Sequence, residues 1–393
     1  MAAYLCPPAV IHGENAVETS QILAEVHDRH PDAPWASRID GIAASTGIDT
    51  RGWMLPLEAA VAPGTGGALR TGQAAAREAL ARDGFTEQDV ERAIAALEAI
   101  PAPQTVQERT EPAWAAVQDY GERAARGALQ AAGLDPSDVD CLITSNSTTP
   151  ALPGLDVALA NRLPLRPDTL LLPATQWACI AGTRSLALAA DLVAADPDRV
   201  VLVVISEALS TTYQPADDSL ESVIVRLLFA DTAVAAVVTG RPRAESVLRL
   251  DASWHHTLPG TRDLHRLETR EDGTHFVMDR RGPRAVQQTV TAMWEWLRRR
   301  HEDDVHAWHP DLLLAHPGGT RVLEYMEQTM PDDWPSGLLA HSRDSYTTGN
   351  RGGAAVLDIL RRAHDAGQKP GSRTVLYAAA PGLTATAVEG EWL

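Results

Sequence analysis

Three residues in the chain have types and settings that nucleophilic catalysis could use. Cys179 lies in Gln176-Trp-Ala-Cys-Ile-Ala-Gly-Thr-Arg184, immediately ahead of an alanine-rich amphipathic stretch. A thiol at a helix N-terminus, especially beside a histidine, can have its pKa drawn down from about 8.5 into a range of roughly 3.5 to 7.5, which supplies thiolate at neutral pH. His316 opens His316-Pro-Gly-Gly-Thr320, where proline and glycines stop a strand and let the backbone turn tightly beside a ligand. Asn350 sits in the glycine-rich helix start Tyr346-Thr-Thr-Gly-Asn-Arg-Gly-Gly353. Each residue also has a plainer reading: a buried structural cysteine, a surface loop histidine, an N-capping asparagine. Residue type alone leaves both readings open. Cys141, between Asp140 and Leu142 in an apolar run, reads as core, and Cys6 has no catalytic surroundings.

The elements that must position these residues repeat along the chain. From Pro112 onward, helical stretches alternate with short runs rich in Val, Ile and Leu, the pattern of buried parallel strands joined by helices. Strand Cys141–Ser145 follows Asp-Val-Asp and strand Leu312–His316 follows His-Pro-Asp, with Ser145 and His316 lying 171 residues apart. Cys179 and Asn350 are also 171 apart. Each precedes a small-residue turn, a helix (Ala181–Ala195 or Gly353–Ala366) and a strand (Val200–Ile205 or Thr374–Ala379). Two copies of one α/β unit are the economical account. The expected division is 1–240, carrying the cysteine, and 241–393, carrying the histidine and asparagine. Ligands in open α/β sheets gather outside the carboxyl ends of strands, where helix N-termini present partial positive charge. Two halves packed about a pseudo-twofold axis would bring Cys179, His316 and Asn350 to one pocket. Ahead of this, helices are expected at Ala16–His30 and Ser37–Ser45, and the stretch 62–107 reads as a helical insertion or lid with helices at Gly72–Asp83 and Glu87–Ala99.

Composition narrows the function classes. The 393 residues are 45% hydrophobic and 22% charged, a globular balance. No uninterrupted apolar run approaches the roughly 18 to 20 residues that span a bilayer, and the N-terminus has no basic segment followed by an apolar one, so the expectation is a cytoplasmic protein. With 34 basic against 52 acidic residues, the net charge of −18 opposes non-specific attraction to nucleic acid or anionic lipid. Three cysteines without CxxC spacing suggest neither a disulfide framework nor a zinc site. The histidines include no HExxH, and the glycines at 64–67 lack the rest of a dinucleotide or P-loop motif.

Together, the segments around Cys179, Leu228-Phe-Ala-Asp231, His316-Pro-Gly-Gly319, Gly349-Asn350 and Ala380-Pro-Gly-Leu-Thr384 resemble the type III polyketide synthases, the chalcone-synthase-like superfamily with the thiolase fold. Thr46-Gly-Ile-Asp-Thr-Arg51, Tyr213-Gln-Pro215 and His275-Phe-Val-Met-Asp-Arg280 are similar to bacterial members, particularly tetrahydroxynaphthalene-synthase-like sequences. The likeness covers nearly the whole chain apart from 62–107.

It implies a duplicated α/β/α/β/α core with internal pseudo-twofold symmetry. Cys179 would be the acyl-carrying nucleophile, His316 its imidazolium partner, and Asn350 the second oxyanion donor. Phe229 would be a gatekeeper aromatic and Phe276 a second ring shaping the cavity, with Thr212, Pro381 and Gly382 at its walls. Leu152 falls where the family sends a residue across a homodimer interface. The expected substrates are an acyl-CoA or acyl-carrier-protein starter and malonyl-CoA, with no metal or redox cofactor and a cyclised pyrone or phenolic product. Three departures stand out. The basic cluster that holds coenzyme A phosphates in plant members is reduced to Arg38, with Arg51 beyond it. The loop Gly-Phe-Gly-Pro-Gly is here Ala378-Ala-Ala-Pro-Gly382, and Trp177 replaces a smaller residue, which would narrow the cavity. Arg351, beside Asn350, is expected to point to solvent. The alternatives are a ketoacyl-carrier-protein synthase of the same fold, performing one condensation, and a silent scaffold; a Cys/His hydrolase lacks a visible group to orient His316.

Overall fold

Strands apolar on both faces leave no side for water, so they must lie between helices. The computed structural model, which describes residues 2–64, 77–98, 104–270, 273–302, 308–332 and 334–393, builds its centre from such strands. They form one ten-stranded sheet. In the first half Cys141–Ser145 runs parallel to Val200–Glu207, which pairs antiparallel with Thr232–Thr239, and that strand pairs antiparallel with Ala3–Leu5. The second half repeats the sequence of directions: Leu312–Ala315 parallel to Arg373–Ala380, then antiparallel Thr384–Trp392, then antiparallel Leu248–Thr257. Ala3–Leu5 and Leu248–Thr257 pair antiparallel where the halves join. Leu170–Pro173 and Ala9–His12 extend the first half. This is the thiolase-like α/β fold with internal pseudo-twofold symmetry.

Helices Ala181–Ala195 and Ala355–Asp365 pack on strands of both halves and on each other, within one continuous apolar core. Val106–Ala131 covers the other face of the first half, and Gly282–Arg300 that of the second. Ala178–Ala195 is, on average, apolar enough to cross a membrane by composition, a property that no uninterrupted run reveals. Here its residues 181–193 contribute mainly buried side chains to the central layer.

The local boundaries have local causes. Residues expected to begin a helix at Ala16 instead form strand Asn15–Glu18, paired with Thr50–Trp53; the helix spans Thr19–Arg29 because Glu18 and Gln21 close a capping box at its start. The expected second helix is Ile39–Thr46, preceded by a single turn at Ala36–Arg38. Within 62–107, a helix occupies Glu87–Glu98 and another starts at Val106, capped by Thr105 and Glu108; 65–76 and 99–103 lie outside the described residues, as does part of the expected helix Gly72–Asp83.

The two central helices meet at glycines. Gly182 and Gly353 are 171 residues apart, each three residues beyond Cys179 or Asn350. A Cβ on Gly353 would lie 2.6 Å from the carbonyl oxygen of Ala178 and 2.9 Å from Cβ of Ala181, and one on Gly182 would lie 3.1 Å from the carbonyl oxygen of Gly353. Overpacking of this kind costs roughly 1–3 kcal/mol. Gly353→Ala is therefore expected to lower unfolding free energy in urea by about that amount. Gly41→Ala, in an exposed helical position with nothing within 4 Å of the new methyl, should be neutral or stabilising. Equal effects of the two substitutions would refute the crossing constraint.

Candidate active site

Each of the three chemistry-bearing residues is held by a distinct backbone device. Ala178 has φ of 44°, a left-handed conformation at a non-glycine residue, and this sharp bend leads into the turn Ala178–Ile180 that presents Cys179. The amide of Asn350 donates to the carbonyl of Leu228 at 2.7 Å, and its own carbonyl accepts from Ala230 at 2.9 Å, so the residue is stitched beside Phe229. Gly349 makes this approach possible: its φ is 105°, and a Cβ there would stand 2.7 Å from that of Ala230. The Asn350 side chain is oriented by its Oδ1, which accepts from the Gly352 amide at 2.9 Å. Its Nδ2 is 3.4 Å from the Gly318 carbonyl, a long contact that leaves donor capacity for a ligand. His316 ends its strand with its amide donating to Tyr377 at 2.8 Å, and its ring is buried with Nδ1 unpartnered among the described residues.

All three line one cavity of about 740 Å³, its open mouth included. Four polar side chains face it: Cys179, His316, Asn350 and His265. Its remaining wall is apolar, including Phe229, Phe276, Met278, Val286, Val322 and Met326. The rings of Phe229 and Phe276 meet edge to face with centroids 5.7 Å apart. Pro381 also lines it.

The electrostatics correct the expected lowering of the thiol pKa. Burial pushes Cys179 up to about 12, aided by the nearby carboxylate of Glu207. Burial likewise pulls His316 down to about 4, so its imidazole is neutral rather than imidazolium. Burial opposes separate ionisation of each group; moving one proton from thiol to imidazole leaves no net charge and is opposed less. Cys179 is half-buried, whereas Cys6 and Cys141 are fully enclosed. Glu207, which ends the strand Val200–Glu207, is pushed up to about 7 by burial against the hydrogen bonds it accepts from Ser147 and Thr148.

Several expected cavity residues lie elsewhere. Trp177 packs against the central core with the Arg184 guanidinium 5.8 Å from its ring centre, and does not narrow the cavity. Thr212 is buried outside the lining, its hydroxyl donating to the Leu209 carbonyl at 2.7 Å. Gly382 makes a turn with φ of 73° and leaves the wall to its neighbour Pro381. Arg38 is exposed at the end of a single turn, away from the lining. Arg51 is fully buried, bonded to the Thr19 hydroxyl and the Ile48 carbonyl, with burial drawing its pKa to about 10; it braces a turn and cannot meet a solvent-borne phosphate. Leu152 is 99% exposed on a projecting loop.

Arg351 is also buried, contrary to the solvent orientation expected for it. Its guanidinium donates to the Ser345 carbonyl at 2.6 Å, the Gly349 carbonyl at 3.2 Å and the Thr348 hydroxyl at 2.5 Å, and faces Asp358 at 3.6 Å. Burial alone would raise the Asp358 carboxyl, but Arg351, His12 and Arg362 around it hold it below the usual range. The turn that carries Asn350 is thus tied from beneath. Sequence reasoning passed over Glu207 and His265. Glu207 had a signal, a carboxylate closing an otherwise apolar strand at its carboxyl end. His265 had none, because only the pairing of strands His265–Arg270 and Gly273–Met278 brings it to the cavity.

Comparison with known proteins adds family evidence. Residues 94–242 match the family model for the N-terminal domain of chalcone and stilbene synthases. A 1,3,6,8-tetrahydroxynaphthalene synthase of Streptomyces griseus is 28% identical over 99% of this chain and 93% of its own length. A phloroglucinol synthase of Pseudomonas fluorescens is 26% identical, covering 99% of both chains. The solved structure of germicidin synthase from Streptomyces coelicolor, described as a type III polyketide synthase, is 84% identical over 100% of both chains, with a TM-score of 0.96. These relatives lend no support to the ketoacyl-carrier-protein synthase alternative.

The coupling between Glu207 and Cys179 has a measurable sign. Above pH 7 the Glu207 carboxyl is mainly ionised and disfavours the thiolate. Glu207→Gln removes that charge, so Cys179 should be alkylated by iodoacetamide several-fold faster at pH 8, with its rate profile moved to lower pH. An unchanged or higher-pH profile would eliminate the coupling.

Proposed function

The chain belongs to the type III polyketide synthases of the chalcone and stilbene synthase family, and on that premise we propose that Cys179, His316 and Asn350 are its catalytic set. As a member, it is an acyltransferase that condenses acyl and malonyl thioesters of coenzyme A and needs no further cofactor. The observation that carries the assignment is the meeting of these three side chains at one apolar cavity. We further propose that its product is that of the 84%-identical germicidin synthase. The starter arrives as an acyl thioester on coenzyme A or an acyl carrier protein, and the wall around Val286, Val322 and Met326 suits an aliphatic acyl chain.

Neutral His316 has a free lone pair and takes the proton of the Cys179 thiol as sulfur attacks the starter carbonyl. The carbon–sulfur bond to the carrier breaks, and the departing thiolate recovers the proton. Malonyl thioester then loses carbon dioxide, placing negative charge on its thioester oxygen. Asn350 Nδ2 donates to that oxygen, as does the His316 ring once its proton moves to the tautomer with N–H facing the site; removing one such donor in comparable sites costs about 2.7–4 kcal/mol. The enolate carbon attacks the acyl group on Cys179, and the lengthened chain returns to cysteine or cyclises. Phe229 and Phe276 bound the space available to it, with Pro381 at another wall.

The assembly read for the chain is a homodimer, in which Leu152 of one protomer enters its partner. Its almost complete exposure, on a loop followed by half-exposed Val157, supports this reading. The two proposed halves are 1–240 and 241–393, and the proposed compartment is the cytoplasm.

Intact-mass measurement with acyl-CoA starters should show an acyl increment that Cys179→Ala loses completely. Asn350→Ala should still acquire that increment while decarboxylating malonyl-CoA about 100-fold or more slowly. Wild-type decarboxylation by Asn350→Ala would remove its assigned role. Leu152→Asp should move the protein from dimer to monomer in light scattering; a wild type that is already monomeric would refute the assembly.

A further inference from the structure

Among the described residues, the cavity's fourth polar side chain has no part in loading, decarboxylation or condensation. His265 lines the same space as Cys179, His316 and Asn350, and among the described residues the charged group that acts on its imidazole is the Asp279 carboxylate. His265 is fixed in place. Its strand pairs with Gly273–Met278 in a register that sets His265 opposite Met278, and the Asp279 amide donates to the Leu264 carbonyl at 2.7 Å. The ring is pressed against Gly282, where a Cβ would come within 2.1 Å of Nε2, so the imidazole fits only because that residue is glycine. It also lies 6.2 Å from the ring of Phe276, centroid to centroid.

These contacts place it along the cavity from the reacting carbon. Asn350 is bridged to Phe229, Phe229 meets Phe276, and Phe276 meets His265. A chain anchored at Cys179 and extended by two condensations closes a six-membered ring only by folding back within this cavity, which brings its fifth-carbon oxygen and the thioester carbon together inside the wall that His265 shares. Among the described residues, the remaining wall offers that oxygen only apolar side chains, whereas a neutral imidazole has one donor and one acceptor nitrogen.

We infer that His265 is the base that closes the product ring, removing the enol proton from the oxygen on the fifth carbon of the extended chain so that this oxygen attacks the thioester carbonyl. The inference rests on the condensation chemistry assigned above. The enol O–H bond breaks and its proton passes to the imidazole. The oxygen forms a bond to the first carbon, and the carbonyl electron pair moves onto the thioester oxygen. Collapse of that intermediate breaks the carbon–sulfur bond, and the departing thiolate takes the proton back from His265. The product is a six-membered lactone, with no oxidant, reductant or additional reactant consumed.

The test uses full-length enzyme with octanoyl-CoA and malonyl-CoA, resolving released products by mass into lactone and the open-chain acid of equal chain length. His265→Phe retains the ring packing and removes both nitrogens, and His265→Gln retains hydrogen bonding but cannot accept the proton. An acyl increment on Cys179 shows that each variant has a folded site. The ratio of lactone to acid should fall at least tenfold in both variants. A wild-type ratio in either variant overturns the base role, as does a wild-type product closed through carbon rather than oxygen. Lactone formed by Cys179→Ala would overturn the underlying condensation assignment and the inference with it.

Discussion

Two backbones in contact without side chains between them govern this molecule. The central helices begin within van der Waals reach of one another only because Gly182 and Gly353 lack Cβ atoms. Cys179 and Asn350, each three residues earlier, are therefore delivered to one cavity by the same crossing that unites the two halves of the sheet. The apolar side chains of both helices belong to one core, so burial energy and site geometry share a source. A methyl group at the crossing would displace the carbonyl oxygen of Ala178, next to Cys179.

Much of this arrangement was legible because its requirements are backbone requirements. Glycine and proline beside His316 and Asn350, and small residues after Cys179, announce tight turns in one dimension. The repeat of 171 residues then relates two of the turns to each other. The failures concern charged and aromatic residues whose partners are distant in sequence. Arg51 is claimed by Thr19 and Ile48 rather than facing an anionic ligand, and Arg351 by the Ser345–Gly349 turn and Asp358 rather than pointing to solvent. Trp177 lies two residues before Cys179, yet the helical turn sends its ring to Arg184. The pKa of Cys179 was misread for a related reason: a helix N-terminus is visible in sequence, whereas the depth of enclosure that outweighs it is a property of the assembled core. The helix at Thr19 began late because a two-residue capping exchange outweighed apolar spacing.

Buried carboxyls perform a second kind of fastening. Asp231, in the Leu228–Asp231 segment beside the cavity, accepts from the amide and hydroxyl of Ser210 at 2.7 and 2.6 Å and from the Met54 amide at 2.8 Å. Burial raises it to about 6, so enclosure works against the charge that those donors favour. One carboxylate thereby joins the end of strand Thr50–Trp53, the turn after Val200–Glu207 and the segment containing Phe229. Glu207 does the same for Ser147 and Thr148 while setting a negative charge near the thiol.

The bridge between Phe229 and Asn350 makes one mechanical part of two tasks. Phe229 lines the cavity, and its carbonyl is also held by the Trp53 indole at 3.0 Å. A substitution that reshapes this wall consequently tugs on the backbone of Asn350. Selection for a larger or smaller product would proceed more freely at Val286, Val322 or Met326, whose side chains border the cavity without sharing that bridge. The enzyme's evolvable wall is the one farthest, in bonding terms, from its asparagine, and diversification of product length along this lineage would be channelled toward it.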